Sequence, residues 1–600
     1  MDYEVIRVLC SLSATMASDM SDPFTLLAAR FAPAFAAVAG SAADPVVRPS
    51  VRADAQVNGA LSVAKALAAA PRDVALQVME LVGDISDMCE STEVAGPGFI
   101  NVVFAKSFLE QELATVCESN SLGVHMVEPA EGESAKKVVV DYSAPNVAKE
   151  MHVGHLRSTV IGDALVRMLD FVGYDVVREN HIGDWGTPFG MLIEHLIDLG
   201  EDQAAQDFSV GDLDSFYKVA RQKFEIDNTF KERARLRVVA LQAGDKETQR
   251  MWKVLVGEST KYFNRVYRTL DVLLEDTDLM GESAYNDLLP QVVKRLRESQ
   301  LLSQSEGADV MFLDGFTNRE NEPLPLIIRK GDGGYNYATT DLACVIDRVE
   351  RLGASMLWYV VGAPQAQHLQ MVEAAARRAG WLPESVQMQH VAFGNVLGAD
   401  RKMLKSRSGD SVKLSALLEE AVERAARAVE EKNPALTAGE RAEVARMVGI
   451  GAVKYADLST DRIKDYIFDW DRMLSFDGNT APYLQYAHAR ICSIFRRAGV
   501  SRESVRGAAP ILGEAEEKTL GMALLQFDAV VWDSLGKASP HRLCTYLYEL
   551  ATAFTGFYEN CPVLKSDEPT RTSRLVLCDT TARVMKCGLG LLGIEAPESM

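Results

Sequence analysis

A short β-branched segment followed by an amphipathic helix is the sequence feature that most restricts the fold of this chain. Val138–Val140 form an apolar run bounded by polar residues, which is typical of a strand buried on both faces. Beyond a loop, apolar residues recur at helical spacing from Leu156 to Leu169, Gly173 follows as a helix C′ residue, and Val176 begins another apolar segment. This βαβ order predicts a parallel sheet with a ligand site at the carboxyl ends of its strands.

Further strand patterns predict several domains, because 600 residues exceed what one hydrophobic core accommodates. A Gly/Pro turn leads into an alternating apolar stretch at 96–104, which predicts a hairpin or an edge strand. Apolar runs at 326–328, 357–361 and 391–393 predict that a second half of the chain completes the parallel sheet.

Helical patterns separate and follow the two halves of the predicted sheet. Residues from about 200 to 305 are charged and helical, with helices expected at 216–241 and 251–274, so they predict an insertion. From about 440 to the end, only helical periodicity is visible. The acidic stretch Glu128–Glu133 is typical of a linker.

Composition restricts the partners and the compartment. Nine cysteines are scattered singly without a CxxC pair, which indicates reduced thiols in a cytoplasmic protein and no structural zinc site. No apolar run approaches the roughly 18 residues that a membrane span needs. The first twenty residues fit a secretory signal or an Arg-rich transit peptide poorly, and an atypical targeting extension stays open. The net charge of −21 argues only weakly against a nucleic-acid partner, because recognition depends on local basic patches.

The motif His152-Val153-Gly154-His155 lies between the predicted strand and helix. With nine histidines and 42 glycines in 600 residues, chance gives about 0.01 H-x-G-H strings. A helix N-terminus attracts phosphates, two imidazoles add donors for a triphosphate, and the glycine admits a flat base to the backbone. The alternatives are a metal site, which lacks completing ligands nearby, and histidines that only cap or pack the helix.

A second motif, K-M-L-K-S at 402–406, lies about 250 residues after the histidines and beyond the second half of the sheet. Mobile ammonium groups on a loop that contains serine and glycine suit a developing pyrophosphate. A K-x-x-K pair alone is usually solvated surface charge, so its position relative to the histidines gives it its significance.

H-x-G-H followed at this distance by K-M-x-K-S resembles the class I aminoacyl-tRNA synthetases. Four further segments resemble the arginyl-tRNA synthetases among them: D-Y-S-A-P-N-V-A-K at 141–149, N-H-I-G-D-W-G at 180–186, D-G-N-T-A-P-Y-L-Q-Y at 477–486 and L-L-G-I-E-A-P at 591–597. The resemblance extends from about residue 96 to Met600. Leu404 departs from the serine of the general class I loop, but both lysines are present.

The resemblance implies an α/β fold with three domains and an enzymatic function. A small N-terminal α/β domain at 1–125 would touch the tRNA elbow, a Rossmann-type catalytic domain at 135–430 would contain the helical insertion, and a helical bundle at 440–600 would bind the anticodon. The enzyme would activate arginine with ATP to arginyl-adenylate and transfer it to the 3′ end of tRNA(Arg). ATP would arrive as its Mg²⁺ complex without dedicated protein ligands for the metal, and no tightly bound cofactor is expected. We expect a cytoplasmic monomer, or a component of a larger synthetase complex.

The resemblance also assigns residues to each substrate. The catalytic residues would be His152, His155, Lys402 and Lys405. The same four residues, together with Lys149 and Gly154, would bind ATP. The arginine site comprises Asp141, Ala144, Pro145, Asn146, His155, Tyr337, Asp341 and Gln365, and the tRNA site comprises Asn479, Tyr483, Tyr486 and Met600. Tyr337 and Asp341 are four residues apart on a predicted helix, so they can offer an aromatic wall and a carboxylate to a guanidinium.

Structural alternatives accompany several of these assignments. Asp341 could be an N-cap, residues 331–334 could be a plain turn, residues 180–186 could only pack Trp185 into the core, and the two tyrosines of the tRNA site could be packing aromatics. Two other functions also stay open: another superfamily enzyme, such as a nucleotidylyltransferase, and a non-enzymatic synthetase-like binding module. Another superfamily enzyme would not need the arginine-site residues. A non-enzymatic binding module could lose the histidines and lysines of the two motifs.

Overall fold

A computed structural model describes residues 21–129, 134–200, 213–331, 333–398, 400–404 and 412–600. Lys405 and Ser406 of the second motif lie outside the described residues, as do the first twenty residues and residues 130–133 of the predicted linker.

The N-terminal part is a four-stranded antiparallel sheet with helices packed against it. Its elements are α1 (Pro23–Ala39), β1 (Val47–Pro49), β2 (Ala55–Val57), α2 (Ala60–Leu67), α3 (Pro71–Val82), β3 (Cys89–Ala95), β4 (Phe99–Phe104) and α4 (Lys106–Glu118). The strand order is β1-β2-β4-β3, and β3 with β4 forms the hairpin predicted at 96–104. Asp22 starts α1 by accepting hydrogen bonds from the N–H groups of Phe24 and Thr25.

The predicted βαβ unit and the helical segment after it are confirmed. The unit consists of β5 (Lys137–Asp141), α5 (Val153–Phe171) and β6 (Asp175–Glu179). The next helices are α6 (Thr187–Leu199), α7 (Leu213–Ile226), α8 (Asn228–Gln242), α9 (Lys246–Leu270) and α10 (Leu289–Glu298). The single helix predicted at 216–241 is wrong, because Asp227 caps α8 through the N–H groups of Thr229 and Phe230 and so separates it from α7.

The second half of the chain completes the parallel sheet after a small antiparallel one. The elements are β7 (Ser303–Ser305), β8 (Ala308–Thr317), β9 (Pro323–Arg329), α11 (Tyr337–Ile346) with a π-helical turn at Asp347–Arg351, β10 (Met356–Tyr359), α12 (Ala366–Arg378), β11 (Gln387–His390) and β12 (Val396–Leu397). The parallel sheet has the order β11-β10-β5-β6. Residues 138–141 of β5 are buried because this strand lies between two others and beneath α5.

Two of the predicted strands of the parallel sheet are wrong. Residues 326–328 lie in β9, which pairs antiparallel with β8 in a separate three-stranded sheet. The run at 391–393 follows β11 instead of forming it. As an edge strand, β11 is only half-buried, so it contains Gln387 and Gln389 and lacks the continuous apolar run of a central strand.

The C-terminal part is helical apart from one two-residue strand. Its elements are α13 (Leu414–Lys432), α14 (Ala438–Leu458), β13 (Tyr466–Ile467), α15 (Trp470–Met473), α16 (Ala481–Ala498), α17 (Ala515–Leu525), α18 (Phe527–Gly536), α19 (His541–Asn560) and α20 (Thr570–Leu591). Single 3₁₀ turns occur at Asp276–Asp278, Glu282–Tyr285, Ala363–Gln365 and Glu503–Val505.

One hydrophobic core connects the N-terminal, catalytic and C-terminal parts, from Leu27 to Ile594. A second core lies between the antiparallel sheet, α10 to α12 and one face of the parallel sheet. Because the main core is shared, the three domain limits given above stay predictions. No helix of the described ranges is both long and apolar enough to cross a membrane.

Candidate active site

The segment between β5 and α5 contains three residues in the left-handed backbone region. Ser143, Ala144 and Ala148 have φ angles of 74°, 47° and 59°. Such conformations of non-glycine residues cost about 1–3 kcal/mol each and persist only where the surrounding structure imposes them, typically at functional sites. The clustering of three such residues agrees with the ligand site that the βαβ order predicts at the carboxyl end of β5, which is therefore the candidate active site.

Buried side chains of three neighbouring elements hold this segment in place. The N–H groups of the three strained residues donate, at 2.9–3.0 Å, to the side-chain oxygens of Ser158 in α5, Asn180 after β6 and Ser259 in α9. The hydroxyl of Tyr267, also in α9, accepts a hydrogen bond from Asn180 Nδ2 (3.0 Å) and lies 2.8 Å from Ser143 Oγ. The catalytic sheet and the helical insertion together therefore fix the active-site backbone.

His152 and His155 cap the start of α5 reciprocally. The N–H of Gly154 donates to His152 Nδ1 (3.0 Å), and the N–H of His152 donates to His155 Nδ1 (3.1 Å). A neutral imidazole whose Nδ1 accepts a hydrogen bond carries its proton on Nε2. The two histidines therefore cap the helix, as one of the alternatives predicted, and each ring is left to donate through Nε2.

Burial sets the protonation state of His155. Desolvation first, and then electrostatic interactions with His152 and Lys149, lower its pKa from 6.5 to about 3. His155 is therefore neutral at physiological pH and can donate a hydrogen bond without carrying charge. Gly154 is needed between the two rings, because a Cβ there would lie 2.8 Å from His152 Cε1.

The end of the lysine loop is hydrogen-bonded to the histidine motif. Residues 412–414 run beside residues 151–153 and are joined to them by two backbone hydrogen bonds of 2.9 and 3.1 Å. Lys413 also pairs with the buried carboxylate of Glu150 at 2.9 Å. Lys402 lies exposed on a turn before the loop, whereas Lys405 lies outside the described residues.

Tyr337 and Asp341 lie in α11, as predicted, and contact the same histidine. His368 Nε2–H donates to Asp341 Oδ2 at 2.5 Å, and the Tyr337 ring meets the His368 ring edge-on with the centroids 4.7 Å apart. The N-cap alternative for Asp341 is wrong, because Asn336 is the N-cap and Asp341 is the fifth residue of the helix. Gln365, the exposed N-cap of α12, lies three residues before His368. These residues form an open site with a carboxylate and an aromatic wall.

Asp141 belongs to a buried cluster of charges next to this site. It ends β5 opposite Glu179, its register partner at the end of β6. Arg348 Nη2 donates to Asp141 Oδ2 (2.7 Å), its Nε donates to Glu179 Oε2 (2.7 Å), and its guanidinium lies 4.8 Å from the centroid of the Tyr359 ring. Two carboxylates thus share one guanidinium, and among the described residues the buried Asp141 Oδ1 has no hydrogen-bond partner.

Comparison with known proteins decides the family. Three family models match the chain: "Arginyl tRNA synthetase N terminal domain" at residues 26–104, "tRNA synthetases class I (R), catalytic domain" at 120–470, and "DALR anticodon binding domain" at 484–600. Two similar proteins are arginine–tRNA ligases. The one from Thermobifida fusca is 53% identical over 585 residues, covering 97% of this chain and 100% of the relative. The one from Edwardsiella ictaluri is 47% identical over 569 residues, covering 94% and 97%.

The chain belongs to the arginyl-tRNA synthetase family. Solved structures agree with this assignment. The arginyl-tRNA synthetase of Plasmodium falciparum superposes with a TM-score of 0.82 at 29% identity, covering 96% of this chain and 99% of that one. The enzyme of Thermus thermophilus gives a TM-score of 0.80 at 25% identity, covering 96% and 100%.

Other residues of the predicted ATP and arginine sites lie around the strained segment. Pro145 is buried, whereas Asn146 is exposed and its backbone bridges to Gly183. The Lys149 ammonium lies 4.7 Å from the centroid of the Tyr217 ring in α7. The structure therefore brings these residues to the same end of the sheet as the two histidines.

Two alternative interpretations concern the packing of nearby segments. Trp185 packs edge-on against Trp252 with the centroids 6.0 Å apart, so the packing interpretation of residues 180–186 is confirmed for this side chain. At the segment 331–334, the N–H of Gly333 donates to the carbonyl of Lys330 at 2.9 Å, as in a plain turn. Asp332 lies outside the described residues.

Three further residues of the site, Arg348, Glu179 and His368, have no role predicted from the sequence. Glu179 could have been found from the sequence, because the parallel pairing of the two predicted strands places their terminal acidic residues side by side. His368 could have been found as well, since it lies in the same segment as Gln365. Arg348 could not have been found from the sequence, because a π-helical turn directs its side chain into the core.

The predicted tRNA residues lie in the helical C-terminal part. Tyr483 and Tyr486 are in the first turns of α16, where Tyr486 is 39% exposed and Tyr483 packs against Tyr548 with the ring centroids 5.7 Å apart. Asn479 is exposed, and its Oδ1 accepts a hydrogen bond from a buried tyrosine hydroxyl at 2.5 Å. Met600 packs against the hydrophobic cluster between α13 and α14, and its carbonyl accepts a hydrogen bond from Asn433 Nδ2 at 2.9 Å.

Proposed function

We propose that this chain esterifies tRNA(Arg) with arginine in two steps at the site described above. The carboxylate of arginine attacks the α-phosphorus of ATP and pyrophosphate leaves, which gives arginyl-adenylate. The 2′-hydroxyl of the terminal tRNA ribose then attacks the acyl carbon and AMP leaves. The observation that carries the proposal is the 53% identity, along the full length of the relative, to a protein named arginine–tRNA ligase.

The ATP phosphates bind at the start of α5. The N-terminal end of this helix provides a positive partial charge, and the capping geometry places the ring proton of His152 and of His155 on Nε2. Neutral, pre-oriented donors stabilise developing charge without reorganisation. Lys402 and Lys405 add mobile positive charge for the leaving pyrophosphate, with Lys149 as a further phosphate contact. Gly154 gives the base access to the backbone.

The substrate arginine binds between α11 and the end of β5. Asp341, already oriented by His368, accepts the guanidinium, and Tyr337 covers the aliphatic stem. The unpaired Asp141 Oδ1 accepts a hydrogen bond from the ammonium end. Gln365 and the segment Ala144–Asn146 line the same pocket. Analogues that lack a guanidinium leave Asp341 without a partner, so the site rejects them.

The anticodon loop binds at the start of α16. Tyr486 is exposed for base stacking, and the Arg490 guanidinium lies 4.9 Å from the centroid of its ring, where it can also contact a phosphate. Asn479, Tyr483 and Met600 complete this surface. In this proposal ATP binds as its Mg²⁺ complex, and the enzyme is a cytoplasmic monomer.

Exchange of labelled pyrophosphate into ATP tests the function directly. Each of the twenty amino acids is supplied with and without bulk tRNA. We expect exchange with arginine alone, and the two tRNA conditions will show whether tRNA must bind before activation. Exchange with a different amino acid would overturn the arginine assignment, and its absence from folded protein with tRNA would overturn the enzymatic one.

A further inference from the structure

Three side chains with metal-binding atoms converge beside the proposed arginine pocket. His181 follows β6, and Asp341 and Cys344 are three residues apart on one face of α11. One nitrogen, one oxygen and one sulfur from these residues lie within 4.8 Å of one another. In a tetrahedral zinc site with bonds of 2.0–2.3 Å, ligand atoms are separated by about 3.3–3.8 Å, so these atoms must draw closer when a metal binds.

Outer hydrogen bonds already orient two of these three groups for a metal. His181 Nδ1–H donates to the carbonyl of Met280 at 2.9 Å, which places the lone pair on Nε2. His368 holds Oδ2 of Asp341 at 2.5 Å and leaves Oδ1 as the second ligand oxygen. Carbonyl and side-chain partners of this kind are the usual second shell of zinc ligands and favour binding by fixing the ligand tautomer and orientation.

The charges around Cys344 favour a cation. The carboxylates of Asp341, Asp141 and Glu179 and the guanidinium of Arg348 act electrostatically on the Cys344 thiol. These groups carry three negative charges and one positive charge, so together they attract a dication. Coordination of the dication releases the thiol proton to solvent and forms a metal–thiolate bond.

We propose that His181 Nε2, Asp341 Oδ1 and Cys344 Sγ bind one soft divalent cation, of which Zn²⁺ is the biological example, and that this cation excludes arginine. The mixed nitrogen, oxygen and sulfur donor set selects Zn²⁺ and Cd²⁺ over Mg²⁺, which prefers oxygen ligands. A fourth position stays open toward the pocket for water. The competition with arginine rests on the proposed function, whereas the metal site does not, because it depends only on the three ligands.

Titration with Cd²⁺ tests the metal site independently of activity. Cd²⁺ is added to the metal-free, full-length chain, and the ultraviolet thiolate-to-cadmium charge-transfer band is followed. We expect one equivalent to produce the band and Zn²⁺ to remove it by displacement. Cys344→Ser should abolish the band, and His181→Gln should weaken Cd²⁺ binding at least about tenfold. The matched control, Cys587→Ser in α20, should keep the band, since this half-buried cysteine lies outside the cluster.

Each arm of this experiment can overturn the proposal. A band that survives in Cys344→Ser, or is lost equally in Cys587→Ser, overturns the site. If metal-free Cys344→Ser retains arginine-dependent exchange, this variant is folded. If it does not fold, His181→Gln decides whether the site exists, because this variant retains every cysteine. Saturating arginine should raise the apparent Kd for Cd²⁺ at least about tenfold. An unchanged Kd overturns the competition, while exchange by the metal-free wild type tests the proposed function separately.

Discussion

Asp341 offers the most direct test at the scale of single residues. Asp341→Asn keeps the shape of the side chain and removes the charge that pairs with the guanidinium. Loss of such a charge-assisted pair costs about 2–4 kcal/mol, so kcat/KM for arginine should fall about 30- to 700-fold. The KM for ATP should stay unchanged, because the phosphates bind at α5. Steady-state pyrophosphate exchange measures both constants.

A control for this substitution is Glu350→Gln. Glu350 is a half-exposed residue shortly after α11 that pairs with Arg295 on the surface. Its neutralisation should leave kcat/KM for arginine within about twofold of the wild type, because surface ion pairs contribute little. Equal losses in both variants would indicate that Asp341 acts only through the general charge of the region.

His155 gives a prediction about pH. Because its pKa in the folded chain is about 3, below the ordinary 6.5, the unfolded chain takes up this proton first as the pH falls. The contribution of His155 to stability is therefore complete above about pH 6.5 and is lost progressively toward pH 3. In NMR spectra of histidine-labelled protein, its ring signals should keep their neutral positions from pH 8 to pH 5. The signal absent from His155→Asn provides the assignment, and a midpoint near pH 6.5 would contradict the prediction.

Residues that perform chemistry could be predicted from the sequence where a motif carries them. His152, Gly154 and His155 are recognisable because they lie at a predictable strand–helix junction. Arg348 could not be predicted, because its role depends on a π-helical turn and on two carboxylates from strands more than 150 residues earlier. Contacts of this kind follow only from the completed fold.

At the scale of elements, the close packing of α5 on β5 depends on one glycine. A Cβ at Gly162 would lie 2.4 Å from both Cβ and Cγ of the buried Tyr142. Gly162→Ala must therefore move the helix or the ring, and we expect it to lower the free energy of unfolding by about 1–3 kcal/mol. Thermal and urea unfolding followed by circular dichroism measure the change.

The matched control for this packing is Gly257→Ala in α9. A Cβ at this helical glycine meets nothing within 4 Å. Alanine is the better helix former by about 1 kcal/mol, so this substitution should raise the unfolding midpoint. Opposite signs for the two variants support the close approach of α5 to Tyr142, and the same sign for both would argue against it.

The predictability of the elements follows their burial. β5 and α5 were predictable because the strand is a continuous apolar run and the helix has apolar residues at helical spacing, although the helix is buried on most sides. β11 was not, because a half-buried edge strand does not need an apolar run. β9 was recognisable as a strand, but its antiparallel partner depends on β8, which the apolar pattern did not reveal. Local pattern identifies an element, and its sheet partner depends on distant residues.

At the scale of the whole molecule, Lys454 lies where three parts of the chain meet. This buried residue of α14 donates to the carbonyls of Leu270 (2.6 Å) and Asp271 (3.2 Å) at the end of α9, and its neighbours include Asp163 in α5 and Gly593. Burial lowers its pKa from 10.5 to about 8, although the nearby carboxylates oppose this shift. Burying this charged ammonium group therefore lowers the stability of the folded chain.

This cost predicts a pH-dependent stability difference. Between about pH 8 and 10.5 the folded chain has lost the Lys454 proton while the unfolded chain keeps it, so this contribution to stability rises with pH. The unfolding temperature of the wild type relative to Lys454→Met should therefore increase from pH 7.5 to pH 10. The exposed Lys65→Met should show no such trend. A constant difference for Lys454→Met would contradict the low pKa.

The shared hydrophobic core has a consequence for biosynthesis. Leu27 and Ile594 contribute to the same core, so a growing chain cannot complete its packing until residues near 594 have left the ribosome. The catalytic sheet is translated long before the helices that cover it. A chain released early would keep apolar surface exposed, and chaperones and proteases would recognise it by that surface. An enzyme that supplies the ribosome would in this way depend on the ribosome translating the codons near position 594 before it can work.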